Sequence, residues 1–445
     1  MPSIVTRIKN LFTSKAVTKQ STVSAELQQN GALHQPQQQG TPRDIQQQPL
    51  QTHDRAIFAT PKKLAVTATG QLTIELQNQT SSSTVYAYIT GQAIDNSNAV
   101  FVLLSDAKTP YYPPNPSSTG AKLAPNISIP LGAPGTSVYA TIPRTAGGRI
   151  WFSINAPLVF LVNPSPALVE PSIFNPADPN SQTNFGFAEF TFNAAQLFAN
   201  ISYVDFVGPP IALTLLDAAG TTQHVSGLPA TGLQTIADGL AAQTLKDGRR
   251  WSSLVVRDAN NQLLRILSPN SGILLNPTWF QGYYAAYVNQ VYARYTATPL
   301  TVDTQASFGS VKGQVGSLGN LNFGAGGLFA KPTAADIFSC STGPFATGGR
   351  AEANTIIPRL AAAFNRSTLL LTNSVPDGES VALYYTEPIT NHYSRIVHAA
   401  NLDGRGYAFP YDDVASSNEA GQEGAVFSSS PVLFTVAVGG GNAHV

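Results

Sequence analysis

The sequence predicts a mainly β fold, a barrel or sandwich that is interrupted by a region of mixed helices and strands. Three observations predict it. Short β-prone segments broken by Pro, Gly, Asn and Ser fill residues 57–225, helical periodicity appears in residues 226–390, and strand-like segments return towards the C-terminus. The simplest topology that joins these parts is a barrel whose last strands return after an inserted domain, which leaves a cleft between the two.

The first part of the chain contains segments in which β-branched and aromatic residues dominate. Turn-forming residues separate these segments at short intervals, as in sandwiches and barrels. The predicted strands are QLTIELQN, TVYAYITGQ, AVFVLL, SVYATIP, RIWFSI and PLVFLV.

Three segments of the middle region have helical spacing. In residues 232–245, Leu and Ile residues recur near one helix face. Residues 276–295 begin with an Asn-Pro pair, which is typical of a helix start. A third candidate, residues 352–365, is weakened by Pro358 in its middle.

Strands are predicted again at the end of the middle region and beyond it. The segments are TLLLTN, VALYYTE, SRIVHAA and PVLFTVAVGG. The predicted boundaries are residues 1–55 for a tail, 56–225 for the first part of the barrel, 226–390 for the inserted mixed α/β domain, and 391–445 for the last barrel strands.

The composition argues against several classes of protein. Charged residues make up 11% of the 445 residues, against about 25% in an average soluble domain, so Ser, Thr, Asn, Gln and Gly must cover most of the surface. Such a surface is common in secreted β proteins and carbohydrate-active proteins. Lys and Arg number 25, as do Asp and Glu, so no nucleic-acid partner is predicted. The single cysteine, Cys340, excludes an internal disulfide, and its apolar neighbours favour a buried thiol over a nucleophile.

The tail contains two kinds of segment. Residues 1–19 place apolar side chains at helical spacing among basic ones, which is typical either of a weak targeting or membrane-surface segment or of a tail with a transient helix. They lack the continuous apolar run of a secretory signal. Residues 28–51 are rich in Gln and Pro and cannot bury a core, so we expect disorder there. No stretch approaches 18 consecutive apolar residues, so no transmembrane segment is predicted.

Two carboxylates lie in the aromatic stretch FGFAEFTFNAAQLFANISYVDFVGPPIAL, residues 185–213. Because side chains of a strand alternate between faces, Glu189 and Asp205 lie on the polar face of their segments. If the two strands are neighbours, both carboxylates project from the same side of the sheet. Glycoside hydrolysis needs such a pair, although surface acids opposite a core face produce the same pattern. The residues predicted to face the core are Ala188, Phe190, Phe192, Val204 and Phe206.

At this point the sequence resembles a known family. FAEFTFN, followed by YVDFVGPPIAL, is similar to the catalytic strands of glycoside hydrolase family 64, β-1,3-glucanases related in fold to thaumatin-like proteins. NPTWFQGYYAAYVNQVYARY, ADIFSCSTGPFA and GRGYAFPYDDV resemble further parts of the family, so that the resemblance covers about residues 56 to 445. It implies a thaumatin-like barrel with an inserted mixed α/β domain, a wide groove for β-1,3-glucan, and endo-acting hydrolysis with inversion.

The resemblance also implies roles for individual residues. Glu189 matches the general acid and Asp205 the general base, with carboxyl groups about 6.5–9.5 Å apart. Further positions match residues that contact substrate. Thr191 and Asn193 match polar positions, whereas Phe198 and Ser202 stand where the family has tryptophan and threonine.

A late acidic turn adds two candidates. Asp412 and Asp413 either line the cleft, as family-like acidic residues, or cap a turn through Asx hydrogen bonds. The six histidines form no ligand-like cluster, so neither a metal nor another cofactor is predicted.

The function implied is the degradation or remodelling of fungal-type cell-wall glucan by a protein that we expect to be a monomer. The family implies an extracellular or cell-wall location, while the lack of a clear signal peptide leaves a cytoplasmic one open. Two alternatives remain: a non-catalytic glucan-binding protein of thaumatin-like architecture, and a structural or interaction protein that keeps the scaffold but has lost activity. The presence of both Glu189 and Asp205 favours the enzyme, because a binding protein has no need of an acid on each strand.

Overall fold

The computed structural model describes residues 70–419 and 421–440, and these belong to one compact unit. The predictions for residues 1–55 lie outside the described ranges. The described residues form a mainly β structure, and its α-helices all lie within residues 232–400. None of these helices combines the length and apolarity needed to cross a bilayer.

Strands occupy most of the chain before residue 226 and return at its end. They are β1 Leu72–Asn78, β2 Val85–Ala93, β3 Ala99–Leu103, β4 Pro110–Tyr111, β5 Ala121–Lys122, β6 Ile129–Pro130, β7 Ser137–Ile142, β8 Thr145–Ile154, β9 Leu161–Asn163, β10 Ala167–Val169, β11 Asn184–Phe192, β12 Leu197–Ile201, β13 Phe206–Val207, β14 Ile211–Asp217, β15 Thr222–Val225, β16 Val255–Arg257, β17 Leu263–Leu267, β18 Leu300–Asp303, β19 Ser310–Val315, β20 Leu321–Asn322, β21 Leu328–Phe329, β22 Ser374–Val375, β23 Ala425–Ser428 and β24 Pro431–Val438. The helices are α1 Gly232–Asp247, α2 Pro269–Leu275, α3 Ala285–Ala297, α4 Ala334–Ser339, α5 Ala351–Arg366 and α6 His392–Ala400.

Two sheets organise the first part of the chain. The large sheet has the order β23-β12-β11-β8-β2-β3-β4, with β6 added beside β2. The second sheet has the order β15-β14-β24-β1-β7, in which β24 runs parallel to β1 and antiparallel to β14. The last two strands therefore complete sheets that the first part of the chain begins. Smaller sheets join β10-β9-β5, β13-β17-β16 and β21-β20-β19-β18-β22.

The core follows the alternation of the strands. In β11, Ala188, Phe190 and Phe192 are buried, while Glu189 and Thr191 are only half-buried. The predicted core face of this strand is confirmed. Around Asp205 buried and exposed residues no longer alternate, because its neighbours on both faces of the segment are buried. These are Tyr203, Val204, Phe206 and Val207.

The helix predictions are partly confirmed. Helix α1 covers the predicted residues 232–245, and α5 runs through Pro358. The helix predicted to start at Asn276 begins only at Ala285. Phe280 and Gly282 explain the difference, since both have positive φ angles, of +59° and +70°, that no right-handed helix accommodates.

Three strand predictions in the region after α5 are wrong. SRIVHAA belongs to helix α6, in which the buried Tyr393, Ile396 and Val397 have the i, i+3, i+4 spacing of a helix face. VALYYTE forms a single 3₁₀ turn and its continuation. TLLLTN is also a turn, because tyrosine hydroxyls rather than a neighbouring strand satisfy its backbone: Leu369 N donates to Tyr287 Oη (3.0 Å), and Tyr295 Oη donates to Leu369 O (2.8 Å).

Candidate active site

Glu189 lies in a polar row that crosses the large sheet. In the strand register Thr90 is opposite Arg149, Arg149 is opposite Glu189, and Glu189 is opposite Asn200. Residues directly opposite each other in antiparallel strands share a face, so these four side chains are neighbours. Their strands are β2, β8, β11 and β12.

Asp205 reaches this site from another sheet. It directly precedes β13, which pairs with β17 and not with β11. The strand beside β11 is β12, whose Asn200 lies opposite Glu189. The two acids therefore do not come from neighbouring strands, because the chain leaves the large sheet after Ile201.

Two sets of contacts hold Asp205 in position. Its backbone oxygen accepts hydrogen bonds from Ser268 N (2.9 Å) and Ser271 Oγ (2.7 Å) at the start of α2. The next residue, Phe206, packs edge-on against Phe187 of β11, with ring centroids 5.7 Å apart. The second contact ties the start of β13 to the strand that carries Glu189.

Arg149 is the cation of the site. Its Nη2 and Nε lie 3.2 and 3.3 Å from Glu189 Oε1, its Nη1 pairs with Glu170, and its guanidinium lies 4.9 Å from the centre of the Phe187 ring. Burial would lower the pKa of Arg149, but the charges of Glu170, Glu189 and Asp205 raise it above its ordinary value. The guanidinium is therefore charged and interacts with three carboxylates.

The pKa of Asp205 is shifted by the same surroundings. Burial raises the pKa of this carboxyl from 3.8 to about 6, Arg149 opposes the shift, and Glu189 adds to it. The interaction shows that the two acids and the arginine belong to one site. Asp205 is mainly ionised at neutral pH, yet it is a stronger base than an ordinary carboxylate.

A second row lies beside the polar row. Thr191 of β11 is opposite Phe198 of β12, which is opposite Phe427 of β23. Thr191 and Phe198 are half-buried, and Phe427 is 52% exposed. Both predicted residues thus lie on the face of Glu189, and Phe427 extends this row with an aromatic ring that the sequence did not indicate.

The other predicted binding residues have different surroundings. Asn193 Oδ1 accepts hydrogen bonds from Ala195 N (2.8 Å) and Gln196 N (2.9 Å), so its oxygen closes the turn after β11. Ser202 is half-buried and forms a parallel bridge with Tyr407.

Asp412 requires a correction. It is 0% exposed, its Oδ1 lies 3.1 Å from Arg366 Nη2, its Oδ2 lies 2.9 Å from His398 Nε2, and Oδ2 also accepts from Ala408 N. Full burial leaves it no surface for a sugar, so we drop Asp412 from the substrate-binding residues. The adjacent Asp413 is exposed and is retained as a prediction.

Sequence reasoning missed Arg149, Glu170 and Asn200. Arg149 is the one charged residue in the predicted strand RIWFSI, and a charge in such a strand was an available signal. Glu170 follows β10 in a Pro-rich connection, and no pattern marks it. Asn200 Oδ1 is buried and has no hydrogen-bond partner within the described part of the chain.

The fold and site define a class: a mainly β protein with a carboxylate pair, which is what glycoside hydrolysis uses, and a buried arginine beside it. Comparison with known proteins gives the family. The family model described as β-1,3-glucanase matches residues 70–438, and the chain belongs to glycoside hydrolase family 64.

Two curated relatives are glucan endo-1,3-β-glucosidases. That of Cellulosimicrobium cellulans is 28% identical over 297 residues, which is 65% of this chain and 52% of the relative. That of Arthrobacter sp. (strain YCWD3) is 27% identical over 294 residues, with the same coverage. The chain thus spans about half the length of the curated relatives it matches.

Solved structures are also similar. A laminaripentaose-producing β-1,3-glucanase in complex with laminaritetraose matches with a TM-score of 0.72 and 29% identity, over 83% of this chain and 98% of the other. A β-1,3-glucanase domain from Clostridium beijerinckii matches with a TM-score of 0.64 and 22% identity over the same shares, and supports the fold alone.

Proposed function

We propose that the protein is an endo-acting β-1,3-glucanase that cleaves its substrate with inversion, using Glu189 as general acid and Asp205 as general base. One observation carries the proposal. Glu189 on the large sheet and Asp205 just before β13 interact with the same buried arginine, Arg149, and with each other. Family membership and the names of the relatives support the substrate.

The proposed chemistry assigns one proton transfer to each acid. Glu189 donates a proton to the glycosidic oxygen while Asp205 takes one from a water that attacks the anomeric carbon from the opposite face. A base is most effective when its pKa lies near the working pH, and a pKa of about 6 suits Asp205 to this task. When Glu189 has lost its proton, Arg149 at 3.2 Å stabilises the carboxylate.

Substrate contacts are proposed for Thr191, Asn193, Phe198, Ser202 and Asp413. Phe198 supplies an aromatic surface for a sugar ring, and the polar residues supply hydrogen bonds to hydroxyl groups. We place these residues in a wide cleft between a thaumatin-like barrel and an inserted α/β domain. The return of β23 and β24 to the first sheets, and the helices between residues 232 and 400, support that architecture.

The first experiment measures activity on linear β-1,3-glucan. Wild type is expected to release reducing ends, and proton NMR of the first products should show the α-anomer, because inversion converts a β-linkage. Glu189→Gln and Asp205→Asn should each lower the rate by a factor of about 10² to 10⁴. Thr435→Val, in the second sheet, serves as a control and should leave the rate of hydrolysis unchanged. If wild type retains glucan but releases nothing, the protein is a non-catalytic binder.

A second substrate separates the two roles. An aryl laminari-oligosaccharide with a good leaving group needs no proton from an acid, so Glu189→Gln should regain most of its rate on it. Asp205→Asn should remain slow until azide replaces the activated water and forms the α-glycosyl azide. The raised pKa of Asp205 is the one observation that favours the reverse assignment. If Asp205→Asn regained its rate on the aryl substrate and Glu189→Gln were rescued by azide, Asp205 would be the acid and Glu189 the base.

A further inference from the structure

Glu170 is a third carboxylate of the site, and neither proton transfer uses it. It directly follows β10, and its side chain is 24% exposed. Its Oε2 pairs with Arg149, while its Oε1 accepts a hydrogen bond from Thr90 Oγ1 (2.9 Å). Thr90 Oγ1 accepts in turn from Trp151 Nε1 (3.2 Å), so a buried indole fixes the hydroxyl that holds Glu170.

Arg149 faces Glu170 and Glu189 together. Its Nη1 donates to Glu170, and its Nη2 and Nε donate to Glu189, so that one guanidinium bridges both carboxylates. A guanidinium is planar, and contacts on two edges fix its orientation. The ring of Phe187 below it restricts the guanidinium further.

The charges around Glu189 come from three elements. Arg149 contacts it from β8, and Asp205 interacts with it from the segment before β13. Glu170, in the connection after β10, contacts the same guanidinium. Thr90 and Asn200 on the flanking strands are neutral. The phenol of Tyr393 in α6 interacts with Asp205 and is uncharged at neutral pH, because burial raises its pKa.

An arginine 3.2 Å from Glu189 that contacted no second carboxylate would hinder the role of Glu189 as general acid. An Arg in contact with one carboxylate favours the ionised form, which has no proton to donate. A second carboxylate on the same guanidinium offsets that charge. With Glu170 and Asp205 ionised and Glu189 protonated, the group of four carries one net negative charge, whereas loss of the last proton raises this to two.

We propose that Glu170 is a positioning residue that acts through Arg149, holding the guanidinium in place and offsetting its charge so that Glu189 can carry a proton. This inference rests on the proposed function, because it assigns Glu189 the role of acid. Glu170 itself touches neither the glycosidic oxygen nor the attacking water in the proposed reaction.

The test is the protonation of Glu189 in the full chain. Carboxyl signals are followed by ¹³C NMR against pH in wild type and Glu170→Gln, with Glu189→Gln identifying the signal. In Glu170→Gln we expect the Glu189 carboxyl to lose its proton at lower pH than in wild type, because the charge that offsets Arg149 is gone. The alkaline limb of the kcat/KM profile on β-1,3-glucan should move to lower pH by the same amount.

A matched control removes the same charge elsewhere. Glu75, also half-buried on a strand, lies in the second sheet, and Glu75→Gln should leave both the NMR titration and the alkaline limb unchanged. Glu170→Asp keeps the charge and should stay closer to wild type than Glu170→Gln. A purely structural role would lower kcat at every pH in both variants without moving the limb, and that result overturns the proposal.

Two further outcomes are decisive. If Glu170→Gln does not fold, Thr90→Val replaces it, since loss of the hydroxyl loosens Glu170 and should shift the same titration in the same direction by less. No shift there would overturn the proposal. If wild type shows no hydrolysis, the proposed function fails, while the NMR titration still decides whether Glu170 controls the proton on Glu189.

Discussion

Asp205 occupies a position that is costly for a carboxylate. Burial raises its pKa in the folded protein to about 6, against an ordinary value of 3.8. Between these two pH values the folded state binds more protons than the unfolded chain, so stability falls as the pH rises. The loss is complete about one pH unit above the folded pKa and stays constant at higher pH. A raised carboxyl pKa therefore stabilises the fold only in acid.

Asp205→Asn should consequently stabilise the protein while strongly lowering its activity. A shift of about two pKa units corresponds to about 3 kcal/mol, so we expect a gain of roughly 2–3 kcal/mol at pH 8. At pH 3.5, where Asp205 is protonated in the folded state and about two-thirds protonated in the unfolded chain, the gain should fall to a few tenths of a kcal/mol. Urea denaturation at the two pH values measures it. Asp238→Asn, at an exposed position of α1, is the control, and an equal effect of Asp205→Asn at both pH values would contradict the linkage.

The sequence identified both proposed catalytic acids but not their arginine. Alternation within one strand predicted that Glu189 lies on the face opposite the core, because the burial of a strand face is a local pattern. The contact with Arg149 depends on β8 lying beside β11, and sheet order is a long-range property that no spacing encodes. For the same reason the sequence left open whether the strands of Glu189 and Asp205 are neighbours.

Two helices and a turn meet at a buried ion cluster. Arg366 ends α5, His398 lies in the last turn of α6, and both contact Asp412. Burial would raise the pKa of Asp412, but His398, Arg366 and the N–H of Ala408 hold it below its ordinary value. The cluster joins α5 and α6 to the turn that precedes β23.

Asp412→Ala should be strongly destabilising. It leaves the guanidinium of Arg366, itself 0% exposed, without its carboxylate, and broken buried pairs cost about 3–5 kcal/mol. The loss should appear as a lower midpoint in urea denaturation at pH 7. Asp95→Ala, which removes an exposed carboxylate 3.6 Å from Arg144, should cost less than about 1 kcal/mol. Equal losses in the two variants would argue against the cluster as the cause.

Local patterns predicted the long elements and failed for short apolar ones. Helix α1 was predicted because its apolar face repeats over four turns, whereas the nine residues of α6 contain an Ile-Val pair that equally indicates a strand. No local sequence pattern predicts the turn at Leu369. Its backbone groups bond to tyrosines of α3, more than seventy positions earlier in the chain.

The helix-rich segment is bonded to the strands at several points. Tyr393 Oη of α6 donates to Tyr203 O (2.6 Å), and Arg265 Nη2 of β17 donates to Thr183 O (2.6 Å) just before β11. Ser271 of α2 holds the backbone of Asp205. The strands after this segment then complete both main sheets. The position of Asp205 therefore depends on both parts of the chain being folded.

The described unit should unfold in one cooperative transition. Trp151 is buried in the large sheet and Trp251 among the helices, so fluorescence reports on each part separately. Replacing Trp279 and Trp251 by Phe leaves Trp151 as the reporter, and replacing Trp279 and Trp151 by Phe leaves Trp251. In each variant, fluorescence and far-UV circular dichroism should give the same urea midpoint, because the shared bonds couple the parts.

A single removed bond should move both reporters together. Tyr393→Phe deletes the hydroxyl that donates to Tyr203 O, and we expect a loss of about 1–2 kcal/mol in either reporter background. Separate transitions, with the Trp251 signal lost at lower urea than the Trp151 signal, would show that the helical segment unfolds alone. Asp205 would then lose its support from α2 while Glu189 kept its sheet, and activity would disappear with the first transition.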